Sequence, residues 1–231
     1  MKAQCRIWVR PGFLALLCIV FATQTFAQLA AVDPWEADIR AFEATDRSHP
    51  PEAGAVLFIG SSSIRYWESL QTDFPDTHII RRGFGGSEIR DATRFAGRIV
   101  DPYRPRLAVL YAGDNDLAAG RSPEQVRDDF VAFVDRIRRD LPEVAIAFIT
   151  IKPSPARANL LDPMRKANAL IGAFAESDKN IRIVDVFTPM LDAKGQPRSE
   201  LFGPDQLHMN RAGYRIWIDK LTPILRASGK D

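Results

Sequence analysis

The sequence predicts an α/β fold, a three-layer α/β/α sandwich built around a parallel sheet. Short runs rich in Val, Ile, Leu and Phe alternate with amphipathic stretches of helical periodicity, as in strands joined by crossover helices. The apolar runs are nearly continuous, which is typical of strands buried on both faces. The 231 residues are 46% hydrophobic and 26% charged, which suits one globular domain with a substantial core.

Strands and helices are predicted in strict alternation. The strands cover residues 55–59, 77–80, 106–111, 144–151 and 181–186. The helices cover 35–46, 63–71, 88–99, 162–177 and 211–227, with a further helix that begins after Ser122. Ser122 is an N-cap candidate and Pro123 occupies the first position of that helix. Its apolar residues have the spacing of a single buried face.

The N-terminus has the pattern of a secretory signal peptide. Lys2, Arg6 and Arg10 precede a short apolar run at 13–22, and the stretch TQTFA that follows ends in a small residue at Ala27. We therefore expect a signal peptide at 1–27 and a single globular domain at 28–231, exported to the periplasm or the extracellular space. The apolar run is short for a membrane span, so no stable membrane insertion is expected after cleavage. An uncleaved anchor is the alternative.

Cleavage would change both the charge and the cysteine content. It would remove three of the 31 basic residues and none of the 29 acidic ones, so the net charge would fall from +2 to −1. A basic surface for nucleic acid is therefore not expected. Cys5 and Cys18 would also be lost. We expect no disulfide, no cysteine nucleophile and no cysteine-ligated metal.

Two of four polar loops that follow predicted strands are rich in serine or glycine. In parallel α/β folds, functional groups gather at such strand ends. The loop at 60–63 has the sequence GSSS and precedes a short helix, so it is either a nucleophile turn or a plain N-cap. The next loop contains Gly83, Gly85 and Gly86. The dinucleotide fingerprint would require glycine at Glu88, and no P-loop lysine follows. A loop exposing a backbone N–H remains, as does an ordinary turn.

The other two loops carry a side-chain amide and a histidine. Asp114, Asn115 and Asp116 are adjacent, whereas calcium loops need alternate spacing, so the amide is better suited to donating hydrogen bonds. Asp205 and His208 are three residues apart and can face the same way. We expect structural roles for the remaining histidines, His49 and His78, and a general-base role for His208. Together the four loops supply the groups needed for acyl transfer through a serine.

In this order the four blocks FIGSSSI, GFGGSE, GDND and DQLH resemble those of the SGNH, or GDSL-like, serine hydrolase family. The resemblance extends over about residues 55–225. It implies a flavodoxin-like five-stranded parallel sheet of order 2-1-3-4-5. It also implies hydrolysis of esters or thioesters, including acetylated carbohydrates, lysophospholipids and short-acyl esters, with no metal or organic cofactor.

The resemblance also implies a role for each matching residue. Ser62, the second residue after the glycine of the first block, would be the nucleophile, and Asp205 and His208 would complete the triad. The oxyanion hole would comprise the backbone N–H groups of Ser62 and Gly86, with Gly85 as the competing choice, and the side-chain amide of Asn115.

The first block departs from the family pattern at one position. Ser61 replaces the usual structural aspartate, so its local hydrogen bonds must differ. Ser63 is expected to cap the following helix. Tyr66 and Trp67 follow by one helical turn and either line the site or pack in the core.

A second departure is Arg81 or Arg82 in place of the usual asparagine of the second block. Either arginine could meet an anionic substrate, and we favour instead a surface pair with Glu88 or Asp91. The Pro-rich loop at 151–163 should lie at the rim of the site and shape a substrate pocket, or be a plain connection.

The predicted function is hydrolysis of short-acyl esters, including those of acetylated sugars, so the expected partner is a small-molecule or glycan ester. The alternative within the family is a lysophospholipase or acyl thioesterase. The alternatives of another class are a non-catalytic carbohydrate-binding protein of the same fold and a phosphate-binding receptor. The sequence does not determine the oligomeric state.

Overall fold

The computed structural model describes residues 33–229, so the signal peptide predicted at 1–27 lies outside the described residues. Five parallel strands form one sheet in the order β2-β1-β3-β4-β5, which confirms the predicted fold class and strand order. The strands are β1 (Val56–Gly60), β2 (Ile79–Gly83), β3 (Leu107–Tyr111), β4 (Ala145–Ile149) and β5 (Ile181–Val184).

Within residues 33–229, eight α-helices flank the sheet. They are α1 (Glu36–Ser48), α2 (Ser62–Arg65), α3 (Leu70–Asp73), α4 (Ile89–Ile99), α5 (Asp114–Ala118), α6 (Pro123–Asp140), α7 (Leu161–Ala175) and α8 (Arg211–Ala227). One apolar cluster joins α1, α4, α6 and α7 to the sheet, and a second joins α2, α3 and α8 to it. Along β1, Leu57 belongs to the first cluster and Phe58 to the second. Burial on both faces explains why the strands are almost entirely apolar.

The helix predicted at 63–71 is interrupted, so this prediction was wrong in extent. α2 ends at Arg65 and α3 begins at Leu70. The Trp67 side chain between them is completely buried and packs edge-on against Phe58. The carbonyl oxygen of Trp67 accepts a hydrogen bond from Arg81 Nη1 at 2.8 Å as well as one from Leu70 N at 3.2 Å, which closes a turn rather than a continuous helix. Core packing therefore overrides the local helical pattern.

Two strands end earlier than the sequence predicts, because the backbone N–H groups that follow them donate hydrogen bonds to side chains. Ile151 N donates to Asn168 Oδ1 at 2.8 Å just after β4. The amides of Val186 and Phe187 both donate to Thr150 Oγ1 at 3.0 Å just after β5. These contacts turn the chain away from the sheet directly above its carboxyl edge.

The predicted pairing of the second-block arginines was wrong. Arg82 is buried and forms an ion pair with Asp46 of α1. Glu88 and Asp91 instead form the capping box of α4. Within residues 33–229, neither Arg81 nor Arg82 pairs with either acid. Neighbouring residues of a strand point to opposite faces of the sheet, and Arg82 points to the face on which Asp46 of α1 lies.

Candidate active site

The turn that presents Ser62 depends on close approach of two backbones. Gly60 has φ +141°, and a Cβ at this position would lie 1.8 Å from the carbonyl oxygen of Tyr111. Only glycine tolerates this contact. Ser61 N then donates to the same carbonyl oxygen at 3.1 Å. As a result, Ser62 begins α2 directly above the end of β1.

A glycine in the second block leaves room for the backbone of α2. A Cβ on Gly83 would lie 2.2 Å from the backbone nitrogen of Arg65 in α2. The N-cap residue of α2 is Ser61, so the capping role predicted for Ser63 was wrong. Ser61 is buried, and its Oγ has no hydrogen-bond partner within the described range 33–229. The serine that replaces the usual aspartate thus leaves a polar atom unsatisfied beneath the turn.

A tight loop carries Asp205 and His208. Gly203 N donates to the carbonyl oxygen of His208 at 2.8 Å, and Gln206 N donates to that of Gly203 at 2.9 Å. Asn210, the N-cap of α8, accepts hydrogen bonds from the amides of two residues in the first turn of that helix. The histidine is therefore held between a closed turn and a capped helix.

The structure brings Ser62, His208 and Asp205 into one hydrogen-bonded chain. His208 Nε2 lies 2.9 Å from Ser62 Oγ, and His208 Nδ1 lies 2.6 Å from Asp205 Oδ2. An ionised carboxylate can only accept, so Nδ1 carries the ring proton and donates it to Asp205. Nε2 is then an acceptor for the hydroxyl proton of Ser62. This is the tautomer that a general base needs.

Asp205 has a half-exposed side chain, and both its exposure and its hydrogen bonds favour the ionised form. The hydrogen bond from His208, followed by the backbone N–H groups of His208 and Leu207, holds the pKa of this carboxyl well below its usual range. Both amides donate to Asp205 Oδ1 at 3.0 Å. The carboxylate therefore uses one oxygen to hold the loop and the other to hold the imidazole.

The Asn115 amide has a unique orientation. Its Nδ2 donates to the carbonyl oxygen of Ser87 at 3.1 Å, and its Oδ1 accepts from Arg157 Nη2 at 2.8 Å. Arginine cannot accept and a carbonyl cannot donate, so the amide oxygen and nitrogen cannot exchange places. One N–H of Nδ2 remains for another acceptor.

A buried charge cluster lies beside this amide. Asp114 Oδ2 lies 3.0 Å from Lys152 Nζ and 3.0 Å from Arg157 Nη1. Burial alone would raise the pKa of Asp114, but Lys152 and Arg157 hold it below its usual range. The Asp114 carboxylate thus faces two cations next to Asn115.

The peptide between Gly85 and Gly86 is oriented by Trp35. Trp35 Nε1 donates to the carbonyl oxygen of Gly85 at 2.8 Å, and the indole packs edge-on against Phe84. In a trans peptide the N–H points opposite to the C=O, so the Gly86 N–H is directed away from Trp35. Neither Gly85 N nor Gly86 N donates to a group within residues 33–229.

Asp116 connects the second and third blocks. Its Oδ1 accepts from Ile89 N at the start of α4 at 3.0 Å. Burial raises the pKa of this carboxyl to about 7.

No three His, Cys, Asp or Glu residues in the described chain are grouped so that they could hold a metal ion. In the same part of the chain, no helix combines the length and the apolar character required to cross a bilayer.

Of the two aromatic residues after the serine loop, only Tyr66 lines the site. Its side chain is 53% exposed, and its ring lies edge-on to His208 with centroids 4.9 Å apart. Trp67 packs in the core. Arg157 and Trp35 also contact the site, and neither was expected there from the sequence. Arg157 lies in the Pro-rich loop predicted at the rim, which was the only signal for it.

The family model of GDSL-like lipases and acylhydrolases matches residues 58–216. The chain belongs to this family. The predicted resemblance is thereby confirmed, and the predicted enzyme class agrees with a family of ester-hydrolysing lipases and acylhydrolases. The roles of the individual residues stay predictions.

Several relatives of this GDSL-like chain are informative. The protein named GDSL lipase Rv0518 from Mycobacterium tuberculosis is 30% identical over 157 residues, which cover 63% of this chain and 61% of that protein. The match thus spans less than two thirds of the relative. A solved GDSL-like lipase from Bacteroides thetaiotaomicron has a TM-score of 0.71 and 18% identity, covering 83% of this chain and 98% of its own. A family 3 carbohydrate esterase from Clostridium thermocellum has a TM-score of 0.58 and 19% identity, covering 74% and 96%. At these identities the two structures show the fold alone.

Proposed function

We propose that this protein is a serine esterase that hydrolyses short-acyl esters, those of acetylated carbohydrates among them. The observation that carries the proposal is the hydrogen-bonded chain from Ser62 Oγ through His208 to Asp205. Three groups of the right polarity, in the right order and within hydrogen-bonding distance, are what acyl transfer through serine requires.

The reaction proceeds in two halves. His208 Nε2 takes the hydroxyl proton as Ser62 Oγ attacks the ester carbonyl, and Asp205 stabilises the resulting imidazolium. The tetrahedral intermediate collapses as His208 returns the proton to the leaving alcohol, which leaves an acyl group on Ser62. Water then attacks the acyl-serine as His208 takes its proton. The bond from the acyl carbon to Ser62 Oγ breaks, His208 returns the proton to Oγ, and the acid departs.

The oxyanion that forms in both halves is held by three donors. They are the backbone N–H groups of Ser62 and Gly86 and the remaining N–H of Asn115 Nδ2. The orientation of the Gly85–Gly86 peptide supports Gly86 over Gly85, because the carbonyl of Gly85 is bound to Trp35. Removal of one such donor typically slows the reaction by about 10²–10³-fold.

Tyr66 and the structural relatives support the carbohydrate part of the proposal. An aromatic ring that is half exposed beside the general base offers an apolar face to the carbon skeleton of a sugar ring. One relative of the same fold is named a family 3 carbohydrate esterase, and another is named an acetyl esterase.

The test is a panel of p-nitrophenyl esters of increasing chain length, with acetylated oligosaccharides as a second panel and Ser62→Ala as the control. We expect kcat/KM to fall sharply beyond the butyrate ester. A rise toward long chains would indicate a lysophospholipase, and a preference for acyl-CoA would indicate a thioesterase. Activity that survives in Ser62→Ala would exclude Ser62 as the nucleophile. Glycan binding without labelling by a fluorophosphonate would indicate a non-catalytic binding protein.

Export is also part of the proposal and rests on the sequence of residues 1–27. We expect the N-terminus of the protein recovered from the periplasm or the medium to begin at Gln28, as determined by N-terminal sequencing. Recovery of the intact N-terminus with the cell membrane would contradict cleavage and favour the uncleaved anchor.

A further inference from the structure

We propose that Arg157 is a positioning residue of the oxyanion hole, which orients and polarises the Asn115 amide. This inference rests on the proposed function, because it assumes that Asn115 Nδ2 donates to a developing oxyanion. Arg157 acts through Asn115 and does not itself touch the reacting atoms.

The loop that carries Arg157 is fixed at two points. Arg157 lies in the 3₁₀ segment Pro155–Leu160, where its backbone departs from helical geometry with φ −124° and ψ 30°. Its amide donates to the carbonyl oxygen of Ser154 at 3.0 Å, and Ala156 N donates to that of Gln206 at 3.0 Å. Gln206 belongs to the loop of Asp205 and His208. The arginine is thus anchored to the same loop as the general base.

The guanidinium has two partners on the third block. Nη2 donates to Asn115 Oδ1 at 2.8 Å, and Nη1 forms an ion pair with Asp114 Oδ2 at 3.0 Å. The planar guanidinium is therefore held through Nη2 by a hydrogen bond and through Nη1 by the charge of Asp114. Asp114 is itself held by Lys152 from below. Arg157 therefore cannot rotate away without breaking both contacts.

The contact to Asn115 has two chemical consequences. A donor fixed on Oδ1 keeps Nδ2 directed toward Ser87 and the site, and the amide cannot flip. A cation hydrogen-bonded to an amide oxygen also withdraws electron density from the amide, which makes its N–H groups stronger donors. The orientation is fixed before the reaction, and the stronger donation gains most as charge develops on the substrate oxygen, so the contact favours the transition state.

A double-mutant cycle on the esterase reaction tests this inference. We expect Arg157→Met to lower kcat by roughly tenfold to a hundredfold, which is less than or equal to the smallest effect of losing an oxyanion donor outright, and to leave KM nearly unchanged. In the Asn115→Ala background the same substitution should change kcat by less than about threefold, because the two residues act as one unit. Arg157→Lys keeps the charge beside Asp114 but loses the planar guanidinium, and should restore kcat only in part.

Arg136→Met is a matched control. Arg136 has the same 17% side-chain exposure as Arg157 and also bridges two groups, Asp101 and Asp140, but on α6 away from the site. We expect this variant to lose thermal stability to a similar extent and to keep the wild-type kcat. A purely structural role of Arg157 would therefore make the two variants alike.

The outcomes separate this inference from the proposed function. If the effects of Arg157→Met and Asn115→Ala multiply in an active enzyme, or if Arg157→Met leaves kcat unchanged, the inference is overturned while the esterase proposal stands. If the wild type hydrolyses no ester and is not labelled by a fluorophosphonate, both fall. Should Arg157→Met not fold, the cycle is run with Arg157→Lys, for which the same criterion of non-additivity applies.

Discussion

Replacing Asp205 by asparagine should impair the enzyme more than replacing it by alanine. Asparagine has one accepting oxygen and one donating nitrogen, whereas Asp205 accepts hydrogen bonds on both oxygens. Its oxygen can face the two backbone amides of the loop or the imidazole, but not both. If it faces the amides, its NH₂ group meets His208 Nδ1 and forces the ring proton onto Nε2. The ring then cannot accept the proton of Ser62.

The expected magnitude follows from the number of hydrogen bonds on each side. The amides of Leu207 and His208 are both 3.0 Å from Oδ1, against one contact to the ring. In this exposed loop each amide hydrogen bond contributes about 0.5–1 kcal/mol. The orientation in which the asparagine oxygen faces the two amides and its NH₂ group faces the ring is therefore favoured by about 1–2 kcal/mol, a factor of about 5–30. Asp205→Ala removes the charge as well, but it leaves Nδ1 facing water and both tautomers accessible. We therefore expect kcat of Asp205→Asn to be a few-fold to about 30-fold below that of Asp205→Ala.

The assay is kcat for p-nitrophenyl acetate at pH 8, supported by the rate of fluorophosphonate labelling and corrected with Ser62→Ala as the background. Thermal melting of both variants checks that the loop is intact. A kcat for Asp205→Asn equal to or above that of Asp205→Ala would refute the assigned tautomer. It would also refute the assignment of Oδ1 to the loop amides and of Oδ2 to the imidazole.

Three further predictions concern residues around the site. Trp35→Phe keeps the packing on Phe84 but removes the donor to the Gly85 carbonyl, so kcat should fall about 3- to 10-fold with little change in Tm; an unchanged kcat would show that the Gly86 N–H needs no such support. Burial raises the pKa of Asp116 from 3.8 to about 7, so the folded protein binds the proton more tightly than the unfolded chain and loses stability as pH rises through that interval. Asp116→Asn should therefore have a Tm advantage over wild type that is larger at pH 8 than at pH 4.5, and a constant difference would contradict the raised pKa. Gly83→Ala would place a Cβ 2.2 Å from Arg65 N, so it should displace α2 and lower both Tm and kcat; a variant that melts like wild type would show that α2 can shift freely.

Most of the fold could be predicted from the sequence because it depends on local pattern. Strands buried on both faces must be nearly continuous in apolar residues, and α6 has its cap, its proline and its apolar face within one segment. The interruption at Trp67 could not be predicted in this way. It is caused by packing against Phe58 and by a hydrogen bond from Arg81, which is 14 residues away. Tertiary contacts decided what the helical pattern alone could not.

The site residues divide along the same line. Ser62, Asn115 and His208 stand in short blocks whose order is visible in the sequence, and the structure brings Ser62 and His208 together over 146 residues. Arg157 and Trp35 act through hydrogen bonds to an amide 42 residues away and to a carbonyl 50 residues away. No pattern of neighbouring residues marks either one, because each forms its hydrogen bond with a group that comes close only in the folded chain. Arg82 was misassigned for the same reason.

The hydrogen bond from Trp35 to the second block means that a contact to the candidate site comes from outside the part of the chain that the family model matches. The family match begins at residue 58, more than twenty positions after Trp35 and beyond the whole of α1. A version of the protein trimmed to the matched region would keep every residue of the proposed triad. It would lose Trp35, which orients the Gly85–Gly86 peptide, together with the start of β1 and most of α8. Low activity in such a trimmed protein would then reflect where it was cut and would say nothing against the chemistry of the residues it retains.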